Sequence, residues 1–413
     1  MVISNGNHRR KLTLMAEDTQ RASVHQRICQ SIDQLSDMLI EVSRDIHAHP
    51  ELAFVEHRAQ NTLCQALEAQ GMPAERGVFT LETAFESRFG EASSGPTVAV
   101  LAEYDALPGI GHACGHNLIA TAALGAALGL AAVRESLPGQ VRLIGTPAEE
   151  KGGGKELMAR AGAFTGVDAA MMIHPAGVNL TTMPCICVAE VEVVYHGRSA
   201  HASAMPHKGV NALDGMLIAY QAISNLRQHI RDTERIHGVI TDGGQAPNIV
   251  PDRSAAEFYV RARDERALAK LKPRVQACFE AGAKASGCEV EVNWAGVDYL
   301  DLNTNGPLAA RFQHHGEALG RHFESTESFG GSGSTDMGNV SHRVPSIHPM
   351  LACAPPNVVI HHPDFATWAG SEMGDQAALD GAKTLALTAA DFLLDTTLQN
   401  ASRRAFEISK GLV

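Results

Sequence analysis

The sequence predicts an α/β fold in which a domain with a mostly parallel central sheet is interrupted by an inserted ferredoxin-like α+β domain. Short apolar runs alternate with longer helical segments in the first part of the chain, which is the pattern of a parallel sheet with helical crossovers. Between about residues 188 and 300 the pattern changes, and apolar helices return afterwards. The 413 residues, 45% of them hydrophobic, suffice for two such domains.

Three apolar runs in the first part of the chain are predicted to be strands. They are TVAVLAEYD (97–105), QVRLIGTP (140–147) and AAMMIHP (169–175), and the segment 118–137 has the composition of a helix. Strands that alternate with helices in this way pair in parallel. We therefore expect residues 20–187 to form the first part of the larger domain.

The segment 188–300 has a different order of predicted elements. It begins with the alternating strand AEVEVVYHGR and continues as helix, strand, strand, helix and strand. This β-α-β-β-α-β order is typical of ferredoxin-like domains. Residues 301–400 contain apolar helices around the strand-like SIHPMLACA (346–354), and they are predicted to complete the larger domain.

Composition limits the classes of partner. The formal charge of −12, without a long block of Lys and Arg, argues against nucleic acid or an anionic membrane surface and favours a small-molecule partner. The eight cysteines are scattered without a framework and are typical of reduced thiols. No stretch of about 18 uncharged apolar residues and no signal-peptide pattern is found. We therefore expect a cytoplasmic protein.

Side chains of types that bind metals lie at or just beyond the end of each of the three predicted strands. Ligands in open α/β sheets collect at the carboxyl ends of the strands, so these side chains are expected to lie at one edge of the sheet. A set of thiolate, imidazole and carboxylate suits Zn²⁺, Co²⁺ or Mn²⁺, whereas Mg²⁺ and Ca²⁺ prefer oxygen alone. In chain order the residues are Asp105, Cys114, His116, Glu149, Glu150 and His174.

Each of these residues taken singly has an ordinary explanation. A lone cysteine is more often a small buried hydrophobe, a lone histidine is often a hydrogen-bonded core or loop residue, and adjacent glutamates are often solvated. The metal-site hypothesis therefore depends on their joint occurrence at three consecutive strand ends. One of the two adjacent glutamates could bind a metal while the other acts on water, which is the division that hydrolysis requires.

Two other functions stay open at this point. One is a thiol hydrolase that uses Cys114, His116 and a glutamate, and the other is a non-catalytic metal-binding scaffold. Sensitivity to chelators, combined with resistance of the metal-loaded protein to iodoacetamide, would favour the metalloenzyme over the thiol enzyme. The presence of both Glu149 and His201 favours a catalyst over a scaffold.

Seven motifs, in order and spanning about residues 40 to 390, resemble peptidase family M20. They are AEYDALPGIGHACGHN, PAEEKGGGK, IHP, GRSAHASAMPHKGVNALD, APNIVPDRSAAEFYVRAR, GSGSTDMGNVS and IHHPDF. The nearest resemblance is to its amidohydrolase branch, which carries Cys-Gly-His and includes aminoacylases, p-aminobenzoyl-glutamate hydrolases and β-alanyl-lysine dipeptidases. It implies a split, zinc-peptidase-like catalytic domain with an inserted lid and dimerisation domain.

The resemblance also implies a role for each candidate residue of the larger domain. Glu149 would be the general base, and Asp105 would orient the site. Because His361 is followed directly by His362, the sequence leaves open which of them is a ligand. Two divalent ions per subunit, Zn, Mn or Co, would be held by Cys114, His116, Glu150, His174 and His361.

In the inserted domain, the resemblance implies that His201 polarises the scissile carbonyl group and that Asn248 contacts the substrate. In dimeric relatives these two residues reach the site of the partner subunit. A homodimer is therefore expected here.

A substrate carboxylate is implied to bind Arg261. The alternation of side chains along a strand and the spacing from Asn248 favour Arg261 over Arg263. The glycine-rich loop that contains Gly333 and Ser334 could present backbone N–H groups to an anionic terminus.

The implied reaction is hydrolysis of the amide bond in N-acyl amino acids or in dipeptides with a free carboxylate. Two divalent ions would lower the pKa of water, and Glu149 would take its proton and later give it to the leaving amine. A metal-bound Cys114 thiolate would not act as a nucleophile. The sequence does not specify the acyl and amine groups.

Overall fold

The structure is a computed structural model that describes residues 4–326 and 333–412, with the backbone alone for residues 4–18. Within these residues the α-helices are α1 (Ser4–Gln34), α2 (Ser36–Ala48), α3 (His57–Ala69), α4 (His116–Ala131), α5 (Gly154–Arg160), α6 (Ala212–Leu226), α7 (Glu265–Ser286), α8 (Gly306–Ala318), α9 (Met337–Ser341), α10 (Pro363–Ala369), α11 (Glu372–Leu394) and α12 (Thr396–Ser409). The strands are β1 (Glu75–Arg76), β2 (Phe85–Gly90), β3 (Thr97–Glu103), β4 (Gln140–Thr146), β5 (Ala169–Met171), β6 (His174–Ala176), β7 (Cys187–His196), β8 (Arg235–Asp242), β9 (Arg253–Ala262), β10 (Glu289–Trp294), β11 (Ser346–Ile347) and β12 (Met350–Ala352).

The chain divides into two compact units, as far as it is described. The first unit takes in Met1–Pro184, Leu302–Gly331 and Asn339–Val413, and the second takes in Cys185–Asp301 and Ser332–Gly338.

The first unit contains a six-stranded sheet in the order β1-β2-β4-β3-β5-β11. Strands β4, β3, β5 and β11 are parallel to their neighbours in this set, whereas β2 is antiparallel to β4 and β1 is antiparallel to β2. The α/β fold is confirmed, and the sheet is mixed. The antiparallel edge was not predicted. Strand β1 consists of only two residues, both exposed, and the sequence of β2, FESRFG, lacks a continuous apolar run.

The predicted strands 97–105 and 140–147 correspond to β3 and β4. The predicted run 169–175 is divided between β5 and β6, and SIHPMLACA is divided between β11 and β12. Strands β6 and β12 pair in parallel as a separate two-stranded sheet. His174 therefore opens a new strand beyond the end of β5.

Helix α4 is buried along almost its whole length and packs closely against α11 and α1. Its glycines permit this approach: a Cβ atom on Gly125 would lie 2.8 Å from the Ala382 Cβ, and one on Gly129 would lie 2.8 Å from the Ile32 side chain. Such contacts are shorter than van der Waals packing allows. Because α4 begins at His116, its tight packing fixes the position of that candidate ligand.

The second unit has the element order β7, α6, β8, β9, α7, β10, which is the predicted β-α-β-β-α-β order. Its four strands form an antiparallel sheet in the order β10-β7-β9-β8. Both helices begin at side-chain caps, Asn211 for α6 and Asp264 for α7. Tyr195, Phe258 and Phe279 lie in the apolar core that the helices and the sheet share.

No helix in the described ranges combines the length and the apolar composition that crossing a membrane requires.

Candidate metal centre

The first turn of α4 brings two candidate ligands next to a third. Gly115, between Cys114 and His116, has φ +79°, and a Cβ atom on it would lie 2.9 Å from the Pro175 side chain. Glycine therefore allows the Cys-Gly-His turn to pack against the residue that follows His174. As a result, the Cys114 Sγ lies 3.4 Å from the His174 Nε2, and both side chains are buried.

Asp105, just beyond the end of β3, contacts two of the other candidates. One carboxylate oxygen lies 3.2 Å from the His116 Nδ1, and the other accepts a hydrogen bond of 2.9 Å from the Glu150 backbone N–H. When the proton of a neutral His116 lies on Nδ1, where Asp105 accepts it, Nε2 is a lone-pair donor for a metal ion. Asp105, the predicted orienting residue, thus contacts two candidate ligands, His116 after β3 and Glu150 after β4.

Glu150 faces both His116 and His361. Its Oε1 atom lies 3.8 Å from the His116 Nε2 and 3.4 Å from the His361 Nε2. The neighbouring His362 instead caps α10, where its Nδ1 accepts a hydrogen bond from the Asp364 backbone N–H. Of the two adjacent histidines, His361 is therefore the one whose ring lies beside Glu150.

Glu149 is buried and lies in a second group of ligand-type residues with Glu103 and His116. One potential ligand atom from each residue lies within 4.8 Å of those from the other two. The adjacent glutamates therefore face different neighbours: Glu150 lies beside His361, and Glu149 lies beside Glu103. Because the two side chains face different neighbours, Glu150 can bind a metal ion while Glu149 acts on water.

The candidate ligands fit divalent metal ions. Two ligand atoms bound to one tetrahedral zinc lie about 3.3–3.8 Å apart, given bond lengths of about 2.0–2.3 Å. The three distances above between candidate ligands, 3.4, 3.8 and 3.4 Å, fall in this range. Among the described residues, the buried atoms Glu103 Oε1, His116 Nε2 and Glu150 Oε1 lie close together without a hydrogen bond of acceptable geometry. Buried polar atoms of this kind require a partner such as an ion. Two of the ligand-type groups with mutually close atoms contain only proposed ligands, and they are Cys114, His116 and His174, and Cys114, Glu150 and His361.

Burial and neighbouring charges shift the pKa values of these groups. Burial raises the pKa of the Cys114 thiol well above its usual value, and the Glu150 carboxylate adds to this effect. Burial lowers the pKa of His174 to about 4, so this imidazole is neutral at pH 7. Burial, the largest single effect, opposes the charged form of His116, but Glu103, Cys114 and Asp105 together outweigh it and raise the pKa of His116 well above its usual value. A divalent ion would compete with these protons.

Two further residues at this edge were not predicted. Glu103, at the end of β3, is buried, forms an ion pair with the buried Lys155 and lies 3.0 Å from the His116 Nε2. His348, just beyond the end of β11, is fully buried with its ring centroid 5.4 Å from that of His174. The position of Glu103 two residues before Asp105, within the predicted strand 97–105, was a usable signal, because side chains two residues apart share one face of a strand. For His348 the signal was its place within the predicted strand SIHPMLACA (346–354).

In the second unit, His201 and Asn248 lie on neighbouring segments. The Ala202 N–H donates a hydrogen bond of 3.0 Å to the Asn248 carbonyl oxygen. The His201 Nδ1 accepts from the Ala204 N–H at 3.2 Å, and the side chain is exposed. Because Nδ1 acts as an acceptor, the proton of the neutral ring lies on Nε2, where it can be donated to a substrate oxygen.

Arg261 is half-buried in the second unit and contacts no carboxylate among the described residues. Its guanidinium donates to the Ser334 Oγ at 2.8 Å and to the His237 Nε2 at 3.2 Å. Arg263, by contrast, is more exposed and donates to Asp264 at 2.8 Å. Of these two arginines, Arg261 is therefore the one whose guanidinium group is available to pair with a carboxylate.

The two loop residues predicted to bind substrate, Gly333 and Ser334, are bonded to the segment before β7. The Gly333 carbonyl oxygen accepts from the Ile186 N–H at 3.0 Å, and the Ser334 Oγ donates to the Ile186 carbonyl oxygen at 2.7 Å. The preceding part of the glycine-rich loop, residues 329–332, lies outside the described residues. Ser334 thus joins Arg261 to the start of the sheet.

A separate group in the first unit, His25, His315 and Asp391, also has ligand-type chemistry. Both histidines contact the Asp391 carboxylate at 2.8 Å, and Arg311 donates to it at 3.2 Å. The carboxylate is already surrounded by potential cations, which disfavours a metal ion. This group joins α1, α8 and α11 and is assigned to packing.

The chain also matches known proteins. The family model described as peptidase family M20/M25/M40 matches residues 99–391. The Xaa-Arg dipeptidase of Mus musculus is 40% identical over 395 residues, which cover 92% of this chain and 91% of the relative. A p-aminobenzoyl-glutamate hydrolase component of Escherichia coli K12 is 34% identical over 275 residues, or 61% of this chain and 56% of the relative.

A solved structure also resembles this fold. It is a Bacillus subtilis protein described as a dinuclear metal binding peptidase from the M20 family, with a TM-score of 0.66 and 23% sequence identity. The alignment covers 87% of this chain and 99% of that one.

Proposed function

The chain belongs to peptidase family M20/M25/M40 and is a hydrolase, and we propose that it is a dinuclear metal-dependent amidohydrolase. Its substrates would be dipeptides or N-acyl amino acids with a free carboxylate. The observation that carries this proposal is the convergence of buried Cys114, His116 and His174 with Glu150 and His361, next to Glu149.

Two divalent ions held by the five ligands would supply Lewis-acid chemistry, lowering the pKa of water and polarising a carbonyl oxygen. Glu149 takes the proton of the attacking water and delivers it to the leaving amine. Asp105 fixes the tautomer of His116 and the position of Glu150 through the two contacts described above. His201 donates its Nε2 proton to the oxygen on which negative charge develops.

The second unit is proposed to serve as a lid and dimerisation domain. We keep the boundaries 20–187 and 301–400 for the two parts of the catalytic domain and 188–300 for the insert. By resemblance to dimeric relatives, His201 and Asn248 reach the active site of the partner subunit of a homodimer. The exposure of both side chains is compatible with this role.

Substrate recognition is assigned to Arg261 and to the loop around Gly333 and Ser334. A guanidinium that is half-buried without a carboxylate partner favours a substrate that brings one. Dipeptides with a C-terminal arginine are the first candidates, because the mouse relative bears the name Xaa-Arg dipeptidase. The next candidates are dipeptides with a C-terminal lysine or glutamate, and N-acyl amino acids.

A thiol hydrolase is the less favoured alternative. Burial keeps the Cys114 thiol protonated, whereas a catalytic cysteine needs a lowered pKa. A thiol hydrolase would also need His116 as a base to take the proton of Cys114. The buried carboxylates Glu103 and Asp105 contact His116 and favour its protonated form, which cannot act as a base.

The function is tested by measuring amine release with ninhydrin from dipeptides and N-acyl amino acids, each with its C-terminal amide. We expect the free acids to be cleaved, chelators to abolish cleavage, and the amides to have kcat/KM lower by about tenfold or more. Arg261→Lys should cost about 1.5–3 kcal/mol of transition-state stabilisation on the acids, with Arg263→Lys as the matched control. Equal cleavage of acids and amides, with no effect of Arg261→Lys, would contradict carboxylate recognition.

A further inference from the structure

Glu56 is a buried carboxylate without an assigned role in the proposed reaction. It precedes α3, its side chain is fully buried, and its carboxylate forms no ion pair with the described residues. Three hydrogen bonds occupy its two oxygens. Oε1 accepts from the Phe54 N–H at 3.0 Å and the Ala148 N–H at 2.8 Å, while Oε2 accepts from the Thr83 hydroxyl at 2.7 Å.

One of these partners, Ala148, has a strained backbone. Its φ is +61°, in the left-handed region that residues with a Cβ atom rarely adopt. Ala148 is fully buried, follows β4 and directly precedes Glu149. Its N–H donates to Glu56, and its carbonyl oxygen accepts from the Gly154 N–H at 3.0 Å. A change of its backbone conformation would disturb both bonds and turn the Glu149 side chain to another direction.

Glu149 lies between two peptide groups that buried carboxylates fix. Glu56 accepts the N–H of the preceding residue, Ala148, and Asp105 accepts the N–H of the following residue, Glu150. Strained backbone persists where surrounding contacts determine it, and it is frequent at active sites. The loop after β4 is therefore held on both sides of the proposed base.

A second contact connects Glu56 with the same loop. Phe54 also has a positive φ, +67°, and its N–H is bonded to Glu56. A Cβ atom on Gly152 would lie 2.4 Å from the Phe54 ring, so the ring packs directly on the glycines that follow Glu149. Glu56 thus accepts the N–H groups of two left-handed residues: Ala148, near the start of the loop 147–154, and Phe54, whose ring packs against Gly152 in that loop.

We propose that Glu56 is a positioning residue, which directs the Glu149 carboxylate at the attacking water by holding Ala148 in its left-handed conformation. This inference rests on the proposed function of Glu149 as the general base. Glu56 itself contacts neither the substrate nor a proposed metal ligand. Its effect is therefore expected on kcat rather than on KM or on metal content.

The test compares Glu56→Ala with Glu56→Gln. Glu56→Ala leaves the Ala148 N–H without its acceptor, and we expect kcat to fall about tenfold or more with little change in KM and with bound metal unchanged, because small misplacements of a catalytic group are costly. Gln retains an oxygen for the Phe54 and Ala148 N–H groups, and its amide can donate to the Thr83 hydroxyl, so Glu56→Gln should keep most of the activity. Wild-type kcat in Glu56→Ala, or a fall that tracks metal loss, would overturn the proposal.

A double variant separates positioning from general stability. In a Glu149→Ala background, Glu56→Ala should cause no further fall in the residual kcat, because no base is left to position. The same fold-change in both backgrounds would overturn the proposal. The matched control is Glu86→Ala, which removes another buried carboxylate, bonded to Arg142, and should leave kcat near the wild-type value.

Two further outcomes keep this test independent of the proposed function. Full activity of Glu149→Ala would contradict the general base itself, whereas full activity of Glu56→Ala beside an inactive Glu149→Ala would overturn only the positioning role. If Glu56→Ala does not fold, Glu56→Asp takes its place, because the shorter side chain withdraws the oxygen from the Ala148 N–H. A kcat of Glu56→Asp equal to that of the wild type would then overturn the proposal.

Discussion

The Sγ atom of Cys114 lies 3.4 Å from the Nε2 atom of His174, although 60 positions separate the two residues in the chain. The contact exists because Gly115 packs against Pro175, where a side chain on residue 115 would not fit. Two soft or borderline ligand atoms at this separation can bind one ion.

Substitution of Cys114 should therefore change metal preference. Cys114→Ser replaces a thiolate by a harder and less acidic hydroxyl, so affinity for Zn²⁺ should fall more than affinity for Mn²⁺. Competition titrations against a chromophoric chelator measure both affinities. Cys353→Ser, at a buried cysteine outside the candidate ligand groups, is the control. Equal losses for the two ions in Cys114→Ser would show that Cys114 is not a ligand.

Glu149 and Glu150 should respond differently to substitution. Glu149→Gln removes the proposed base, and we expect kcat to fall by roughly 10² or more while metal content is retained. Glu150→Ala removes a proposed ligand and should lower metal content. Elemental analysis and steady-state kinetics on the same preparations check both. Metal loss in Glu149→Gln with retention in Glu150→Ala would mean that the two roles are interchanged.

Much of this site was predictable because its ligands follow strands with strong apolar runs. Cys114, His116, Glu150 and His174 were placed at one edge of the sheet by the rule that parallel strands end together, and the described geometry brings them together. The choice between His361 and His362 needed coordinates, since one ring faces Glu150 and the other caps α10.

Other features depend on contacts that no periodicity encodes. Two of the three partners of Glu56, Thr83 and Ala148, come from distant parts of the chain, and the left-handed conformation of Ala148 has no glycine to signal it. The antiparallel strands β1 and β2 were missed because a short, partly polar edge strand resembles a loop in sequence.

The proposed homodimer predicts complementation between two inactive variants. His201→Ala and Glu149→Ala should each lack activity, because one loses the carbonyl donor and the other the base. If His201 acts on the partner's site, mixing the variants under conditions of subunit exchange forms one site with both groups intact, and partial activity returns. Native mass spectrometry verifies the mixed dimers. An inactive mixture that contains such dimers would place the action of His201 in its own subunit.

Glu56 should make the stability of the metal-free protein depend on pH. Burial raises the pKa of Glu56 to about 7, with the nearby Asp105 charge adding to the shift and the Thr83 hydrogen bond opposing it. The pKa of this carboxyl group is higher in the folded protein than the value of about 4.3 in the unfolded chain. Its contribution to stability is therefore fully present below about pH 4.3 and is lost as the pH rises through about 7.

The free energy of unfolding of the wild type should therefore fall between pH 5 and pH 8, relative to Glu56→Gln, by up to about 3 kcal/mol. Urea unfolding of both proteins in the presence of a chelator measures the difference. Parallel pH profiles for the two proteins would contradict the raised pKa.

The most direct test of the central claim, a two-metal hydrolytic site, is the transition-metal content of extensively dialysed protein that still cleaves a dipeptide or an N-acyl amino acid. The account predicts about two transition-metal ions per chain, loss of activity when a chelator removes them, and recovery when Zn²⁺, Mn²⁺ or Co²⁺ is restored. Full hydrolytic activity in protein without stoichiometric transition metal would contradict it.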